Sequence, residues 1–404
     1  MPWPGQTATG EVRVLRVLLA AAGSPPPTFI ARRINALARL GVAVYAAGGE
    51  KVPAGSNAGV HWYRESRSPR RGMLRLVAGC LRRPRRARRL LRGGHGQSRG
   101  WFSFLAKHAY LFTIPRPDLI HVQWVGSAAA WRPVAEVFAV PLIASVRGSQ
   151  VTVYLHRGEE YRQHLARCLA AADSLHCVSR SLAERCQELG VHPARIFVNY
   201  NGIDLVRFSP GEPRAAKEGF RLVTVGALVA RKNLSHALLA LKSVAGRCGD
   251  VQLQIVGDGE ERIYLRHAAE RLGLGQRVQF PGNLEESQIA AVLRQADVYL
   301  STSMAEGLAN AVVEAAACGL PVVAYQCEGM GEIVEEAVNG FLRPFGDVEG
   351  VVGALCRLAD DPALRVRMGE ASRGIAAARF DQEACAQAMT EHYRRMVNEK
   401  RHHD

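Results

Sequence analysis

Several motifs that would identify a familiar chemistry are missing from this 404-residue sequence. It contains no G-x-x-x-x-G-K-[ST], H-E-x-x-H or G-x-G-x-x-G motif, which leaves no evidence for a P-loop NTPase, a zinc protease or a dinucleotide-binding enzyme. None of its nine cysteines stands in a C-x-x-C pair, and its histidines are dispersed apart from His402 and His403, so no metal site is predicted. We interpret the cysteines as reduced, small apolar residues of a cytosolic protein.

Long apolar runs are also missing. No uninterrupted apolar run reaches the roughly 18 residues that a membrane-spanning helix needs. Residues 12–22, VRVLRVLLAAA, have the basic and apolar character of a signal peptide, but Arg13 and Arg16 interrupt the run and a helical pattern follows at once. We therefore expect a buried first strand there, in a protein that does not span a membrane.

Acidic residues are nearly absent from residues 64–99, which hold thirteen arginines and a single acid, Glu65. This stretch supplies most of the net charge of +15. Leu74, Val77 and Leu81 lie at helical spacing among the arginines, which is typical of a segment that rests on anionic lipid. A solvated or disordered basic loop is an alternative interpretation. Contact with nucleic acid is a third, although no aromatic residue stands among these arginines.

Short apolar runs alternate with segments of helical periodicity along the chain. The predicted strands are 12–22, 42–47, 118–124, 141–146, 174–179 and 195–201, followed by 221–228, 251–257, 278–284, 297–302 and 321–325. Nearly continuous apolar strands that alternate with helices indicate parallel, doubly wound sheets. Residues 201–218, NGIDLVRFSPGEPRAAKE, interrupt the alternation and predict a linker.

These patterns predict an α/β protein with two Rossmann-like domains, residues 1–205 and 206–375, that face each other across a cleft. Residues 376–404, with Met389 and Tyr393 on one stripe, are predicted to form a helix that packs back toward the first domain. Ligands of doubly wound sheets bind at the carboxyl ends of the strands. The cleft is therefore the predicted site.

Two glutamates stand eight positions apart in residues 303–319, SMAEGLANAVVEAAACG. A helix is expected from about Leu308 to Cys318, with Glu306 in the loop before it and Glu314 about two turns inside. The N–H groups of a first helical turn form an anion site, and carboxylates that flank the site can accept hydrogen bonds from sugar hydroxyl groups. A helix cap with an exposed glutamate is the alternative.

Other predicted strands are followed by basic or glycine-containing loops. In VGALVARKN, Arg231 and Lys232 could neutralise a diphosphate, although such pairs are often plain surface charge. In AAAGSPPPTFI, Gly23 could let backbone amides touch a phosphate. In SVRGSQ, Arg147 follows a buried strand toward the same cleft, where a structural ion pair would explain it equally well.

In order and spacing, these segments resemble a family-4 retaining glycosyltransferase of the GT-B fold. The resemblance runs from about Val12 to Phe345 and is strongest after Arg221. Its most specific part is the E-x7-E signature, here Glu306-GLANAVV-Glu314. The segments IVGDGEER, VQFPGNL, ADVYLS, NGFLRP and NYNGID are also typical of family members.

The resemblance implies a role for each matching residue. Glu306 would contact hydroxyl groups of the transferred sugar, and Glu314 the ribose of the nucleotide. Lys232 would bind phosphate, and the loop around Gly23 would close over the diphosphate. The residues whose backbone would bind the donor are Gly307, Leu308, Ala309 and Asn310 at the diphosphate, and Asn283 and Leu284 at the base.

The chain departs from the family pattern at two positions. Ala227 stands where an arginine is common, so Arg231 is expected to substitute for it. Arg147 begins R-G-S-Q where the family often has H-G-x-D. We nevertheless group Arg147 with Glu306 and Lys232 as the predicted catalytic residues, and expect electrostatic stabilisation of the leaving nucleoside diphosphate in a front-face displacement.

The resemblance implies a retaining hexosyltransferase that moves a sugar from a nucleoside-diphosphate sugar to an acceptor hydroxyl group, without a metal or other cofactor. A UDP-sugar is favoured over a GDP-sugar. The basic segment 64–99 suits a lipid-linked or polysaccharide-precursor acceptor and an anionic membrane, with the protein on the cytoplasmic face; no nucleic-acid partner is expected. The alternatives are a nucleotide-sugar epimerase of the same fold and a non-catalytic nucleotide-sugar-binding homologue.

Overall fold

The computed structural model describes residues 14–23, 26–48, 58–66, 68–93, 98–212 and 219–403. The chain divides into two compact α/β units. Unit 1 comprises Met1–Val178, Ala183–Asn199 and Glu383–Asp404, and unit 2 comprises Ser179–Leu182 and Tyr200–Gln382. The main boundary therefore lies at residues 199 and 200, slightly before the predicted linker. The start of the first predicted strand, at residues 12 and 13, falls outside the described residues.

Unit 1 is built on a parallel sheet of seven strands in the order β3-β2-β1-β4-β5-β6-β7. Its strands are β1 (Arg16–Ala20), β2 (Ala43–Gly48), β3 (Val60–Arg64), β4 (Leu119–Val122), β5 (Leu142–Val146), β6 (Ser174–Cys177) and β7 (Ile196–Val198). The helices of this part of the chain are α1 (Thr28–Arg39), α2 (Pro69–Arg82), α3 (Pro84–Arg92), α4 (Ser98–Lys107), α5 (Ala128–Phe138), α6 (Glu159–Ala171) and α7 (Arg180–Glu188).

Helices cover both faces of this sheet, which explains why its central strand β1 is a nearly continuous apolar run. In β1, Val17 and Leu19 point into one hydrophobic cluster with Ile34 of α1. Leu18 and Ala20 point into the other, with residues from α2 to α5. Because neighbouring side chains of a strand face opposite sides, a strand covered on both faces needs an uninterrupted apolar run.

Unit 2 is built on a parallel sheet of six strands in the order β10-β9-β8-β11-β12-β13. Its strands are β8 (Phe220–Val225), β9 (Val251–Val256), β10 (Val278–Gly282), β11 (Val298–Ser301), β12 (Val322–Tyr325) and β13 (Gly340–Arg343). Its helices are α8 (Leu234–Cys248), α9 (Arg262–Arg271), α10 (Glu286–Arg294), α11 (Asn310–Ala317), α12 (Val348–Asp360) and α13 (Pro362–Phe380). The two predicted doubly wound parallel sheets are thus confirmed.

The last helix, α14 (Gln382–His403), begins later than the predicted residue 376, because α13 extends to Phe380. Most of α14 belongs to unit 1, where Met389 and Tyr393 join the same hydrophobic cluster as Val17. The Tyr393 hydroxyl group lies 2.6 Å from Nδ1 of His121 on β4. The end of the chain therefore completes the core of unit 1.

The arginine-rich segment folds as the helices α2 and α3. At Gly72 and Gly79, a Cβ atom would lie only 2.6 Å from an atom of a neighbouring residue, which is Phe112 in the case of Gly79. These glycines let α2 pack closely on unit 1, with Leu76 buried in the core. The alternative of a disordered basic loop is therefore wrong for these helices. Among the described residues, no helix is both long and apolar enough to cross a bilayer.

Buried histidines connect the strands of unit 1. The Ser145 hydroxyl group on β5 lies 2.8 Å from Nε2 of His121 and 2.8 Å from Nδ1 of His176 on β6. On α14, Nε2 of His392 lies 3.0 Å from the hydroxyl group of Ser174. These rings provide the hydrogen bonds that polar groups need in the interior.

Burial is the main cause that lowers the pKa values of all three histidines, and nearby arginine charge lowers them further. For His392, where the arginine is Arg395, the pKa falls to about 4. The folded protein thus keeps this ring neutral at pH values where the unfolded chain, with a histidine pKa of about 6.5, binds a proton. The resulting stability is present above pH 6.5 and is lost as the pH falls toward 4.

We expect the thermal unfolding temperature to fall as the pH is lowered from 7 to 5. At pH 5, His392 alone should account for a loss of about 2 kcal/mol, given its folded pKa. Calorimetry across this pH range measures the effect. His392→Gln removes the titrating group and should make the dependence on pH shallower. A constant unfolding temperature between pH 7 and pH 5 would contradict this account.

Candidate active site

The candidate site lies in unit 2, where two neighbouring strands end. Strands β8 and β11 pair in parallel, with Leu222 opposite Val298 and Val223 opposite Tyr299. The Tyr299 hydroxyl group also bonds to the backbone of Val225, at 3.2 Å from its nitrogen and 3.1 Å from its oxygen. Because parallel strands end at the same edge, the loops that follow β8 and β11 are brought together.

Hydrogen bonds join these two loops. The amide of Met304 donates to the carbonyl oxygen of Arg231 at 2.8 Å. The hydroxyl group of Thr302 lies 3.1 Å and 3.0 Å from the carbonyl oxygens of Lys232 and Asn233. The backbone of the predicted basic pair and of the next residue, Asn233, is therefore fixed to the loop that carries Glu306.

An ion pair connects the predicted residues of the two loops. Nζ of Lys232 lies 2.5 Å from Oε1 of Glu306, and a terminal nitrogen of Arg231 lies 3.4 Å from Oε2. The side chains of Glu306 and Lys232 are only 8% and 16% exposed, whereas that of Arg231 is 45% exposed. The shielded lysine pair is therefore the stronger of the two interactions, and the exposed arginine adds less.

Two glycines permit the close packing around Lys232. Gly226 follows β8, and a Cβ atom there would lie 3.1 Å from Cε and 3.3 Å from Nζ of Lys232. A Cβ atom at Gly257, after β9, would lie 2.0 Å from the carbonyl oxygen of Gly226. Asn233 follows with a positive φ of 48°, which asparagine tolerates better than most residues. The lysine side chain thus lies against bare backbone.

Helix α11 presents its amino terminus beside this ion pair. It begins at Asn310, and its cap residue, Ala309, offers no side-chain hydrogen bond. Glu314 is buried, at 7% exposure. The alternative of a helix cap with an exposed glutamate is therefore wrong. The N–H group of Val312 donates to the carbonyl oxygen of Ala309 at 2.9 Å, while the amides that open an α-helix have no acceptor one turn back, which makes this end a suitable place for an anion.

The remaining donor-binding predictions of unit 2 occupy the same edge of the sheet. Gly307, Leu308 and Ala309 are buried in the loop between Glu306 and α11. The side-chain oxygen of Asn310 accepts a hydrogen bond of 3.1 Å from the amide of Asn201.

Asn283 and Leu284 follow β10, which lies two strands from β8. Asn283 is exposed and Leu284 is partly exposed. The amide of Gly257 donates to the carbonyl oxygen of Gly282 at 2.8 Å, which links the loops after β9 and β10. The structure does not bring Asn283 as close to Glu306 as it brings Lys232.

Gly23 and Arg147 lie in unit 1, at the carboxyl ends of β1 and β5. Gly23 has a φ of 88°, as its loop position requires, and the next residues, 24 and 25, fall outside the described chain. Arg147 donates to the carbonyl oxygen of Gln123 at 2.9 Å and to its side-chain oxygen at 2.8 Å, and it lies over the ring of Phe29. Burial, and then the charge of Arg33, lowers the pKa of Arg147 well below its usual value.

Sequence reasoning missed several residues that shape this site, among them Thr302, Tyr299 and Cys327. Burial, followed by the negative charges of Glu306 and Glu328, raises the pKa of the Cys327 thiol to about 12. Cys327 follows β12, the neighbour of β11. Cys327 lies near the site because β12 and β11 are neighbours in the sheet. Strand order cannot be read from the apolar periodicity of the sequence alone.

Comparison with known proteins identifies the family. Residues 207–374 match the family described as glycosyl transferases group 1, and residues 28–207 match glycosyltransferase family 4. Over 305 residues the chain is 30% identical to a GDP-mannose-dependent monoacylated alpha-(1-6)-phosphatidylinositol monomannoside mannosyltransferase from Corynebacterium glutamicum, covering 70% of this chain and 78% of that protein. The chain belongs to the group 1 and family 4 glycosyltransferases.

Solved structures agree with this glycosyltransferase fold. Sucrose-phosphate synthase from Thermosynechococcus elongatus superposes with a TM-score of 0.79 at 20% identity, covering 96% of this chain and all of that one. Anabaena HepE, solved with UDP and glucose, gives 0.71 at 18% identity, covering 94% and 99%. The predicted GT-B fold class is confirmed.

We expect Gly226→Ala to weaken binding of nucleoside diphosphates by about tenfold or more, because the added methyl group would press on Lys232 and the φ of 154° at this position strains any residue but glycine. Titration with nucleoside diphosphates would measure the change. Gly353→Ala, on the exposed side of α12, is a matched control, since a Cβ atom there meets nothing within 4 Å. Equal donor affinities for the two variants would show that Gly226 does not position Lys232 for binding.

Proposed function

We propose that this glycosyltransferase moves a hexosyl group from a nucleoside-diphosphate sugar to an acceptor hydroxyl group with retention of configuration. The observation that carries the proposal is the shielded ion pair of Lys232 and Glu306 beside the amino terminus of α11. One place thus offers a cation and helix amides for a diphosphate, together with a carboxylate for sugar hydroxyl groups.

When the donor binds, Lys232 and Glu306 each exchange the other for a group of the donor that suits its charge. The diphosphate takes over Lys232, and Glu306 turns its oxygens to the hydroxyl groups of the sugar. Because both side chains are shielded from water, neither charge would be stable alone, so the site favours a ligand that offers an anion and hydroxyl groups together. A free sugar offers no anion to Lys232. Lys232 would then stay paired with Glu306 and compete with the sugar hydroxyl groups for its carboxylate.

The chemistry follows from the same charges. The bond between the anomeric carbon and the diphosphate oxygen breaks, and the acceptor oxygen bonds on the same face while its proton passes to the leaving diphosphate. Lys232 and the first-turn amides of α11 stabilise the charge that develops on that leaving group, which is typically the largest contribution to such a reaction. We propose that this positive charge makes a metal ion unnecessary.

Arg231 supplements Lys232 in this proposal. It reaches the second oxygen of Glu306 from a more exposed position, four residues after Ala227. Its place supports the expectation that Arg231 provides the second cation for the diphosphate.

Two similar proteins differ in the base of the nucleotide. HepE was solved with UDP, whereas the corynebacterial relative is named as GDP-mannose-dependent. We propose a UDP-sugar, with the backbone at Asn283 and Leu284 next to the base.

We expect Lys232→Ala to abolish stabilisation by nucleoside diphosphates. At 100 times its dissociation constant, a ligand adds about 2.7 kcal/mol to the free energy of unfolding, which shifts the unfolding temperature by several degrees. A thermal-shift panel of UDP, GDP, ADP and their sugars, with and without EDTA, would measure this. Lys242→Ala, an exposed lysine on α8, is the control.

The expected outcome is a shift with one base in wild type and in Lys242→Ala, unchanged by EDTA and absent in Lys232→Ala. Release of the nucleoside diphosphate only in the presence of an acceptor would then separate a transferase from an epimerase. An equal shift in Lys232→Ala would contradict the proposed donor site. Binding without turnover with any acceptor would favour a non-catalytic homologue.

For the acceptor side, we propose that α2 rests on an anionic bilayer at the cytoplasmic face of the cell membrane. Close packing through Gly72 and Gly79 turns the opposite face of α2 to solvent. That face carries Leu74, Val77 and Leu81, which are 72%, 52% and 80% exposed. Exposed apolar side chains at helical spacing, next to many arginines, match the requirements of a helix that lies in a membrane interface.

Both kinds of side chain contribute to this surface. The exposed arginines of α2, of α3 and of the residue between them are Arg70, Arg71, Arg75, Arg82, Arg83, Arg85, Arg88, Arg89 and Arg92. A basic residue near an anionic surface contributes about 1 kcal/mol, and burying a leucine side chain contributes about 1.5–3 kcal/mol. A lipid-linked or membrane-bound acceptor is the proposed partner of this surface, and nucleic acid is not.

We expect the double variant Leu74→Gln/Leu81→Gln to bind vesicles of anionic phospholipid at least about 100-fold more weakly than wild type, because it loses two leucine side chains worth about 1.5–3 kcal/mol each. Vesicle sedimentation would measure binding. Ile263→Gln, which removes an exposed apolar side chain from α9, should bind as wild type does. If the wild-type protein bound neutral vesicles in high salt as tightly as it binds anionic vesicles, the proposed role of the arginines would be contradicted.

A further inference from the structure

Two cysteines of unit 2 face each other on neighbouring helices. Sγ of Cys248, the last residue of α8, lies 3.0 Å from Sγ of Cys356 on α12. Both are free thiols in this structure. The other close pair, Cys177 and Cys186 in unit 1, is separated by 3.9 Å.

The core of unit 2 fixes this approach. Leu241 and Val244 of α8 belong to the same hydrophobic cluster as Val352 and Leu355 of α12, and both thiols pack against that cluster. Arg247 and Glu349 also form an ion pair of 2.9 Å between the two helices. The packing of α8 on α12 therefore places these two cysteines side by side.

Distance and access both favour a bond. A disulfide joins sulfur atoms at about 2.05 Å, so the two atoms need to approach by about 1 Å. Cys248 and Cys356 are both partly exposed, whereas Cys177 and Cys186 are fully buried. A small oxidant in solution can reach the first pair but not the second.

We propose that Cys248 and Cys356 are a modification site at which a small-molecule disulfide, such as oxidised glutathione, forms an intramolecular disulfide between α8 and α12. One cysteine thiolate attacks the reagent and displaces one glutathione thiolate; the second cysteine then attacks the mixed disulfide and displaces the other. The protein loses two protons and two electrons, and the reagent is reduced to two thiols.

Burial, followed by the hydrogen bond and charge of Cys356, raises the pKa of the Cys248 thiol to about 12. Since only the thiolate attacks, the reaction accelerates as the pH rises, so alkaline conditions favour the exchange.

The bond closes a long loop within unit 2 that contains Glu306 and Glu314. Cross-linking two distant positions restricts the unfolded chain, which stabilises the folded state. The two sulfur atoms lie at the opposite end of α8 from Asn233, next to which Lys232 stands. The disulfide thus stabilises unit 2 without replacing any group of the candidate active site.

The test is to incubate the full-length protein with oxidised glutathione at pH 9 and then to quench with acid. We expect two of the nine thiols to disappear, the mass to fall by two hydrogen atoms, and peptide mapping to join Cys248 to Cys356. The unfolding temperature should rise by about 5–10 °C and return on reduction.

Cys248→Ser and Cys356→Ser should each abolish the cross-link and the thermal shift, whereas Cys177→Ser should keep both. Two variants on different helices guard against a failure of one to fold. The proposal is overturned if all nine thiols persist, if only a stable glutathione adduct forms, or if the bond joins other cysteines or two chains. These readouts need no substrate, so they are independent of the proposed transferase activity.

Discussion

The parallel pairing of β8 and β11 is the constraint on which the candidate site depends. It brings the loops after these strands together, and the hydroxyl group of Thr302 then binds two successive carbonyl groups of the other loop. Only in that arrangement do Lys232 and Glu306, which are 74 residues apart, form a shielded ion pair. The site is thus assembled from backbone pairing first and from charge second. A change to either loop acts on both charged groups at once.

Shielding from water determines how strongly the two members of this ion pair depend on each other. A lysine and a glutamate in water attract each other weakly, but partial burial strengthens the attraction and makes a lone charge costly. The pair therefore balances these two shielded charges. A ligand can replace it only if it satisfies both members, as the proposed nucleoside-diphosphate sugar would. The buried histidines of unit 1 are not charged in this way. Burial and nearby arginines lower their pKa values, so the rings stay neutral and bond to hydroxyl groups.

The sequence predicts those strands and helices that local patterns of apolar residues mark. Eleven strands were recognised from their apolar runs, but β3 and β13 were missed. Strand β3 carries polar residues and is half-exposed at the sheet edge, and β13 (GFLR) has only two apolar residues, between a glycine and an arginine. The candidate site residues were located by motif, yet their pairing was not, because it depends on strand order. The approach of Cys248 to Cys356 was likewise invisible in a sequence that separates them by 108 residues.

The positive charge at Lys232 and that of the arginines on α2 and α3 differ in their exposure to solvent. Lys232 is shielded and held by a carboxylate, so added salt changes its interactions little. The arginines of α2 and α3 are mostly exposed, so their attraction to an anionic surface falls steeply with ionic strength. The exposed stripe of Leu74, Val77 and Leu81 does not respond to salt in that way, since apolar burial is not screened. Charge brings α2 to a membrane in this scheme, and the apolar stripe determines how long it stays.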